Sequence, residues 1–218
     1  MKHLSGLKYL ISIKASNNHL TTVLQLKVPP LHLDRLDLSF NEITRIPDLS
    51  VHKHLRVLNL KSNKITHIEG LSKNKKLSIL DISENTIEEV KGLDNLNLTE
   101  LYLSNNQIET VKGFQHLESL RVLDLSINKI SKIGGLSGLI SLRSLNLAKN
   151  NIKHIREIDF VENLMYLTCL DLCFNPIQER KYYRLQVLYK MPMLKKLDGT
   201  ELNGREVVEA EKLYGLDV

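Results

Sequence analysis

The sequence predicts an α/β fold: a right-handed solenoid with a parallel concave sheet, short convex segments and a helical C-terminal cap. Three observations lead there. Asn18, Asn41, Asn63, Asn85, Asn106, Asn128, Asn150 and Asn175 recur at steps of 21 to 23 residues, 25 in the last, each closing an LxxLxLxxN pattern. A second motif, IxxIxGL, follows the Asn, as in Ile65 to Leu71. Past Asn175 the repetition gives way to helical patterning. A period in this range marks one supersecondary unit that cannot bury its apolar face alone and stacks on its neighbours.

In Leu55-Arg56-Val57-Leu58-Asn59-Leu60 the alternation is that of a short strand with its leucines on one face. Leu33, Leu36 and Leu38 repeat it, as do Leu77, Leu80 and Ile82, then Leu98, Leu101 and Leu103, and the copies that begin at Leu120, Leu142 and Leu167. Ile13 and Ala15 fill these slots in a degenerate first copy. All are assigned to the core. The convex part of a 22-residue copy is too short for a full α-helix, so extended or 3₁₀ segments are expected there. The Gly of IxxIxGL permits a turn that a side chain would obstruct. The Asn amide offers donors and an acceptor to the backbone of adjacent coils, where an unpaired buried group costs ~1–3 kcal/mol. The Asn ladder is therefore read as structural.

Residues 1–177 are expected to form the array, about eight repeats, and residues 178–218 the cap and tail helix. The 218 residues are 42% hydrophobic, with few aromatics and no Trp, which suits an aliphatic stacked core. No apolar run reaches the roughly 18 residues of a membrane span, and the amino terminus lacks the apolar stretch of a signal peptide. A cytoplasmic address is expected. Cys169 and Cys173 are expected on one strand, facing the concave side, about 13 Å apart and beyond disulfide reach.

Leu4 to Leu10 matches the convex half of a repeat, compare Leu136 to Leu142, so the chain is expected to begin in mid-coil as a monomeric module of a longer protein. Tyr182 to Leu188 is predicted helical and stopped at Met191-Pro192. Leu194 to Gly199 gives one last strand-like piece, and Arg205 to Leu213 a further amphipathic helix. The five acidic residues from Glu201 onward could pair with the basic cap.

With these motifs the chain resembles the leucine-rich repeat class of 22 residues first associated with the regulatory subunit of protein phosphatase 1. The segment Tyr183 to Gly199, with its Tyr-Arg, Pro and Leu-Asp elements in register, is similar to the terminal cap of that class. The resemblance implies relatives among axonemal dynein light chain and other ciliary or flagellar proteins, a spliceosomal protein that holds an RNA-binding domain, and repeat regions ahead of a guanylate-kinase-like domain. All use the array for protein contacts. The 25-residue step through Arg156 to Phe160 departs from the simplest pattern.

Specificity is expected on the concave face, at positions the scaffold leaves free. The residue between the strand leucines is Asp37, Asn59, Asp81, Tyr102, Asp124, Asn146 and Asp171 from the second copy on, an acidic column that can also be read as the usual resident of this slot. Val57, Ile79, Val122 and, on the other flank, Phe40 and Ile127 accompany it. Val57, Ile79, Tyr102, Val122 and Ile127 are expected to form one apolar patch, a mark of interaction sites. Eight strands about 4.8 Å apart span ~34 Å, enough for a partner helix of about 20 residues or an extended segment.

The formal charge is +5. Lys73, Lys75 and Lys76 are expected on the convex side and Arg180, Lys181, Arg184, Lys190, Lys195 and Lys196 in the cap, outside the groove, which argues against nucleic acid as the main ligand. The sequence holds no phosphate loop, no HExxH and no nucleophile elbow, and Gly134 to Gly138 reads as a convex turn. His52 and His54 form the only close His pair, without Cys or carboxylates at ligand spacing. No catalytic residue, metal ligand or cofactor site is predicted. The expectation is a protein-interaction scaffold, with the recruiting module of a longer enzyme and a ribonucleoprotein component as alternatives.

Overall fold

The computed structural model describes residues 9–23 and 29–215, so the reading of Leu4 to Lys8 as part of a coil lies outside the described residues. Each coil contributes one three-residue strand: β1 Ser12–Lys14, β2 Arg35–Asp37, β3 Val57–Asn59, β4 Ile79–Asp81, β5 Glu100–Tyr102, β6 Val122–Asp124, β7 Ser144–Asn146 and β8 Cys169–Asp171. The middle residue of every strand is buried and its neighbours face outward, the period-2 alternation of the motif. The strands pair in parallel and strictly in register, Ile13 beside Leu36, Leu58, Leu80, Leu101, Leu123, Leu145 and Leu170 in turn. Sheet order therefore equals chain order.

A left-handed residue turns the chain off each strand of the array: Asn17, Phe40, Ser62, Glu84, Asn105, Ile127, Lys149 and Phe174 have φ between 52° and 58°. The Asn that follows locks the turn to its neighbours. Asn63 donates from Nδ2 to the carbonyls of Leu38, Leu60 and Lys61 at 3.0, 3.0 and 3.2 Å and accepts from Ile43 N at 2.9 Å, so one amide ties two coils. Asn41, Asn85, Asn106, Asn128, Asn150 and Asn175 repeat the arrangement. Asn18 is exposed, and among the described residues its side chain bonds only within its own coil, to Ala15 O and Ser16 O.

Among the described residues the convex side is extended apart from the 3₁₀ segments Gly134–Leu136, Ile155–Phe160 and Pro176–Glu179; the second takes up the 25-residue step and the third leads into the cap. The Gly requirement is steric: a Cβ on Gly113, at φ 89°, would lie 2.1 Å from Val90 O of the preceding coil. In the longer coil Glu157 occupies this level, buried, with Oε2 accepting Ile133 N at 3.0 Å.

Beyond the array, α1 (Tyr183–Lys190) lays Tyr183, Val187 and Leu188 on the last coil, continuous with the leucine core. Chain reversal at Met191 leads to β9 (Lys196–Leu197), parallel to β8, and β10 (Thr200–Glu201) folds back antiparallel on β9. α2 (Gly204–Tyr214) begins with a capping box between Asn203 and Glu206. Glu206 also accepts from Arg184 Nε at 2.7 Å, which ties α2 to α1 and pulls its carboxyl below the ordinary range. No helix among the described residues is long and apolar enough to cross a membrane.

One placement differs from the sequence reading. β8 ends at Asp171, so Cys173 lies past the strand, in the turn that faces the cap, because the coil must bend at Phe174. Lys73, Lys75 and Lys76 lie outside the strands, in the turns that lead back to β4, where Lys76 Nζ is 3.2 Å from His54 Nδ1.

Candidate interaction surface

Outward side chains of the strands form columns one coil apart. In the middle column the acids serve the scaffold first. Asp37 Oδ1 accepts from Ser39 N at 3.1 Å and from Ser39 Oγ at 2.7 Å, and Asp81 binds Ser83 N and Oγ at 3.0 and 2.6 Å. Asp124 accepts Ser126 N and Asp171 accepts Cys173 N, both at 2.9 Å. Asn59 and Asn146 do the same for Lys61 N and Ala148 N at 3.0 Å. A short side chain with an oxygen that reaches the N–H two residues on is what the turn requires, which explains the preference for Asp or Asn.

Tyr102 breaks the rule. It cannot reach back to the turn, and its hydroxyl instead donates to Glu100 Oε2 at 2.7 Å on the same strand. The ring is half-buried, with Asp81 and Asp124 paired to it in register on either side. Burial, then Glu100, then the two Asp carboxylates push the phenol up to about 12, so it stays a donor at neutral pH.

The first column runs Arg35, Val57, Ile79, Glu100, Val122, Ser144 and Cys169. Val57, Ile79 and Val122 are half-buried, with Glu100 between Ile79 and Val122 in this column and Tyr102 in the same coil one column over. Phe40 and Ile127 stand apart from the strands, on the left-handed turn, 47% and 44% exposed, and Phe174 joins them at 74%. Lys61 Nζ and Lys149 Nζ lie 6.0 and 5.5 Å from the Phe40 and Phe174 ring centroids. A β-branched residue at positive φ is strained, and Ile127 adopts it with its side chain in solvent.

Asp171, Cys173 and Asp198 have ligand-type atoms within 4.8 Å of one another. One oxygen of Asp171 and both of Asp198 are already engaged: Asp171 Oδ1 with Cys173 N, and Asp198 with Leu172 N at 2.8 Å and Gln178 Nε2 at 2.9 Å. Burial and then Asp171 push the Cys173 thiol up to about 11, which keeps it protonated. The buried Tyr183 hydroxyl lies beside Asp198 without reaching hydrogen-bond geometry, and burial raises its pKa. The sequence reading placed Tyr183 and Asp198 in the cap motif but not beside this turn, which they meet only through the cap fold. The His pair is divided: His52 is buried with Nδ1 3.2 Å from Pro30 O, and His54 is exposed, its ring 5.6 Å from that of His32.

A family model described as leucine-rich repeat matches residues 92–216, more than half of the chain, and a second matches residues 32–87. The U2 small nuclear ribonucleoprotein A′ of Homo sapiens is 36% identical over 73 residues, covering 34% of this chain and 29% of that protein. Leucine-rich repeat-containing protein 36 of Homo sapiens is 36% identical over 100 residues, covering 45% of this chain and 13% of that protein. Each match therefore spans less than a third of the relative's length. Among solved structures, a leucine-rich repeat protein of Leptospira interrogans superposes over 97% of this chain and 60% of its own, with TM-score 0.74 and 23% identity. The functional domain of InlJ from Listeria monocytogenes covers 94% of this chain and 53% of its own, with TM-score 0.65 and 23% identity. From the repeat motif, the coil geometry and the family match together, the chain belongs to the leucine-rich repeat family.

Proposed function

We propose that the protein is a non-catalytic interaction scaffold whose concave face takes a helical or extended protein segment carrying apolar and basic residues. The observation that carries this is Tyr102: at the centre of the sheet the turn-capping Asp or Asn is replaced by an aromatic donor set between Asp81 and Asp124. Half-buried aromatic side chains of this kind dominate interface energies, and a flanking acidic field steers a basic partner. Val57, Ile79 and Val122 on the strands, Asp37 and Asp171 further out, and Phe40 and Ile127 on the turns supply the rest of the surface. Affinity capture followed by calorimetry tests it. Loss of affinity in Tyr102→Ala with the melting temperature kept is expected, and full affinity in that variant would remove the concave face as the site.

A ribonucleoprotein role is the second reading, favoured by the identity to U2 small nuclear ribonucleoprotein A′. Capture before and after ribonuclease treatment separates the two, since a protein-only partner survives digestion. The resemblance to phosphatase-regulator and axonemal repeats supports a cytoplasmic or ciliary address, to be tested by imaging the tagged protein.

A further inference from the structure

Where the convex segments of successive coils begin, a recess of ≈ 650 Å³ opens between Lys129, Lys132, Lys153 and Arg156. Its origin is the irregular step of the array. The longer coil contributes Arg156 from the 3₁₀ segment Ile155–Phe160, and the coil before it passes through Gly134 and Gly135, where side chains are missing. The Phe160 ring closes over Gly134, so that a Cβ there would be 3.4 Å from it. A second groove of ≈ 640 Å³ continues from Lys132 across the glycines.

The recess gathers four cations around two acids, Glu109 and Glu157, and none of Lys129, Lys132, Lys153 and Arg156 forms an ion pair among the described residues. Glu157, adjacent in sequence, is turned inward to Ile133 N, which leaves Glu109 as the acid at the rim. Arg180 braces the wall: Nε donates to Lys153 O at 3.0 Å and Nη2 to His154 Nδ1 at 3.4 Å. A guanidinium only donates, so His154 Nδ1 is an acceptor here and the other ring nitrogen is left as a donor.

We propose that this recess binds a small, multiply phosphorylated molecule, with phosphoryl oxygens held between Lys132, Lys153 and Arg156. Clustered like charges attract a polyvalent anion more than a monovalent one, and Arg and Lys supply the fork and the point charge that phosphate recognition uses. The volume is that of a small-molecule pocket. The site is separate from the concave face, so its fate is independent of the scaffold proposal.

Calorimetry on the full chain with inorganic pyrophosphate and with myo-inositol hexakisphosphate tests it, the two probes distinguishing a bare phosphate chain from phosphate esters. Saturable binding of at least one probe is expected, weakened at least about tenfold in the double variant Lys132→Gln, Lys153→Gln. Lys75→Gln, in the turn before β4, leaves it unchanged. The proposal is overturned by absence of saturable heat with both probes, by equal binding in the double variant, by equal weakening in Lys75→Gln, or by binding of single-stranded RNA alone. Unaltered melting temperatures establish that these exposed substitutions leave the fold intact.

Discussion

Tyr102 and Glu100 project from the same strand two residues apart, and the phenol hydroxyl donates to the carboxylate at 2.7 Å. This bond orients the ring along the sheet instead of into the turn. In every coil from β2 to β8 except this one, the slot's side chain stabilises the backbone beyond it. Tyr102→Asn returns an amide oxygen of the kind seen at Asn59 and Asn146. The variant is expected to melt no lower than the parent, with up to about 1 kcal/mol gained from the recovered hydrogen bond, and to lose at least ~1–2 kcal/mol of partner affinity. A drop in both quantities would mean that the ring holds the sheet together rather than a partner.

Ile127 poses the same trade on the turn. Its φ of 54° suits Asn, the residue that Asn105 supplies one coil earlier. Ile127→Asn should raise stability by roughly 0.5–1 kcal/mol in a denaturant titration, while binding weakens if the exposed side chain is part of the contact surface. Unchanged stability would show that the neighbouring coils fix this conformation without cost.

The ladder predicts large local losses. Asn106 spans two coils with bonds to Ile82 O, Leu103 O and Ile87 N, so Asn106→Ala leaves buried groups unpaired and should cost ~1–3 kcal/mol. Leu123→Ala opens a cavity at a fully packed position and should cost ~2–5 kcal/mol. Chemical denaturation measures both.

Adjacent glycines should respond oppositely. A Cβ on Gly135 would sit 1.8 Å from Val111 O, and one on Gly134 would make an ordinary 3.4 Å contact with the Phe160 ring. Gly135→Ala is expected to lower stability by more than about 1 kcal/mol, and Gly134→Ala to leave it within about 0.5 kcal/mol. Equal losses would indicate that coil spacing adjusts at this level.

Burial pushes the His52 pKa below its ordinary 6.5. The unfolded chain then takes up a proton that the folded one refuses, so the contribution of this residue to stability is complete above pH 6.5 and declines as pH falls below it. The fall in melting temperature between pH 7 and pH 5 should shrink in His52→Leu, a side chain matching Leu139 and Leu164 in the same column. The carboxylates lowered by ion pairs, such as Glu206 beside Arg184, act at lower pH, below their ordinary 4.5.

Much of the frame was legible because one repeat explains all the others. Leu58, Asn63 and Gly70 each have one role, and each recurs at a fixed step, so strand, ladder and convex turn could be placed before any coordinates. The outward columns were harder. Asp81 in a binding groove and Asp81 as acceptor for Ser83 N leave the same trace in sequence, and only geometry exposes the second role. The place of Glu100 between Ile79 and Val122 follows from the repeat alone, but its hydrogen bond with the Tyr102 hydroxyl needed the geometry. The basic recess was hidden because Lys132 and Lys153 belong to different coils, and Arg156 reaches them through the one step that breaks the period.

The hairpin of β9 and β10 gives the sheet a direction. Every strand before it offers its far edge to a parallel successor, whereas Thr200–Glu201 runs the opposite way, is only two residues long and carries a charge. A second molecule that tried to add its own first coil there would meet mismatched hydrogen-bond spacing and the start of α2. The far edge of β10 therefore offers no parallel template in register with the leucine strands, and the stacking rule that builds the array stops at this hairpin.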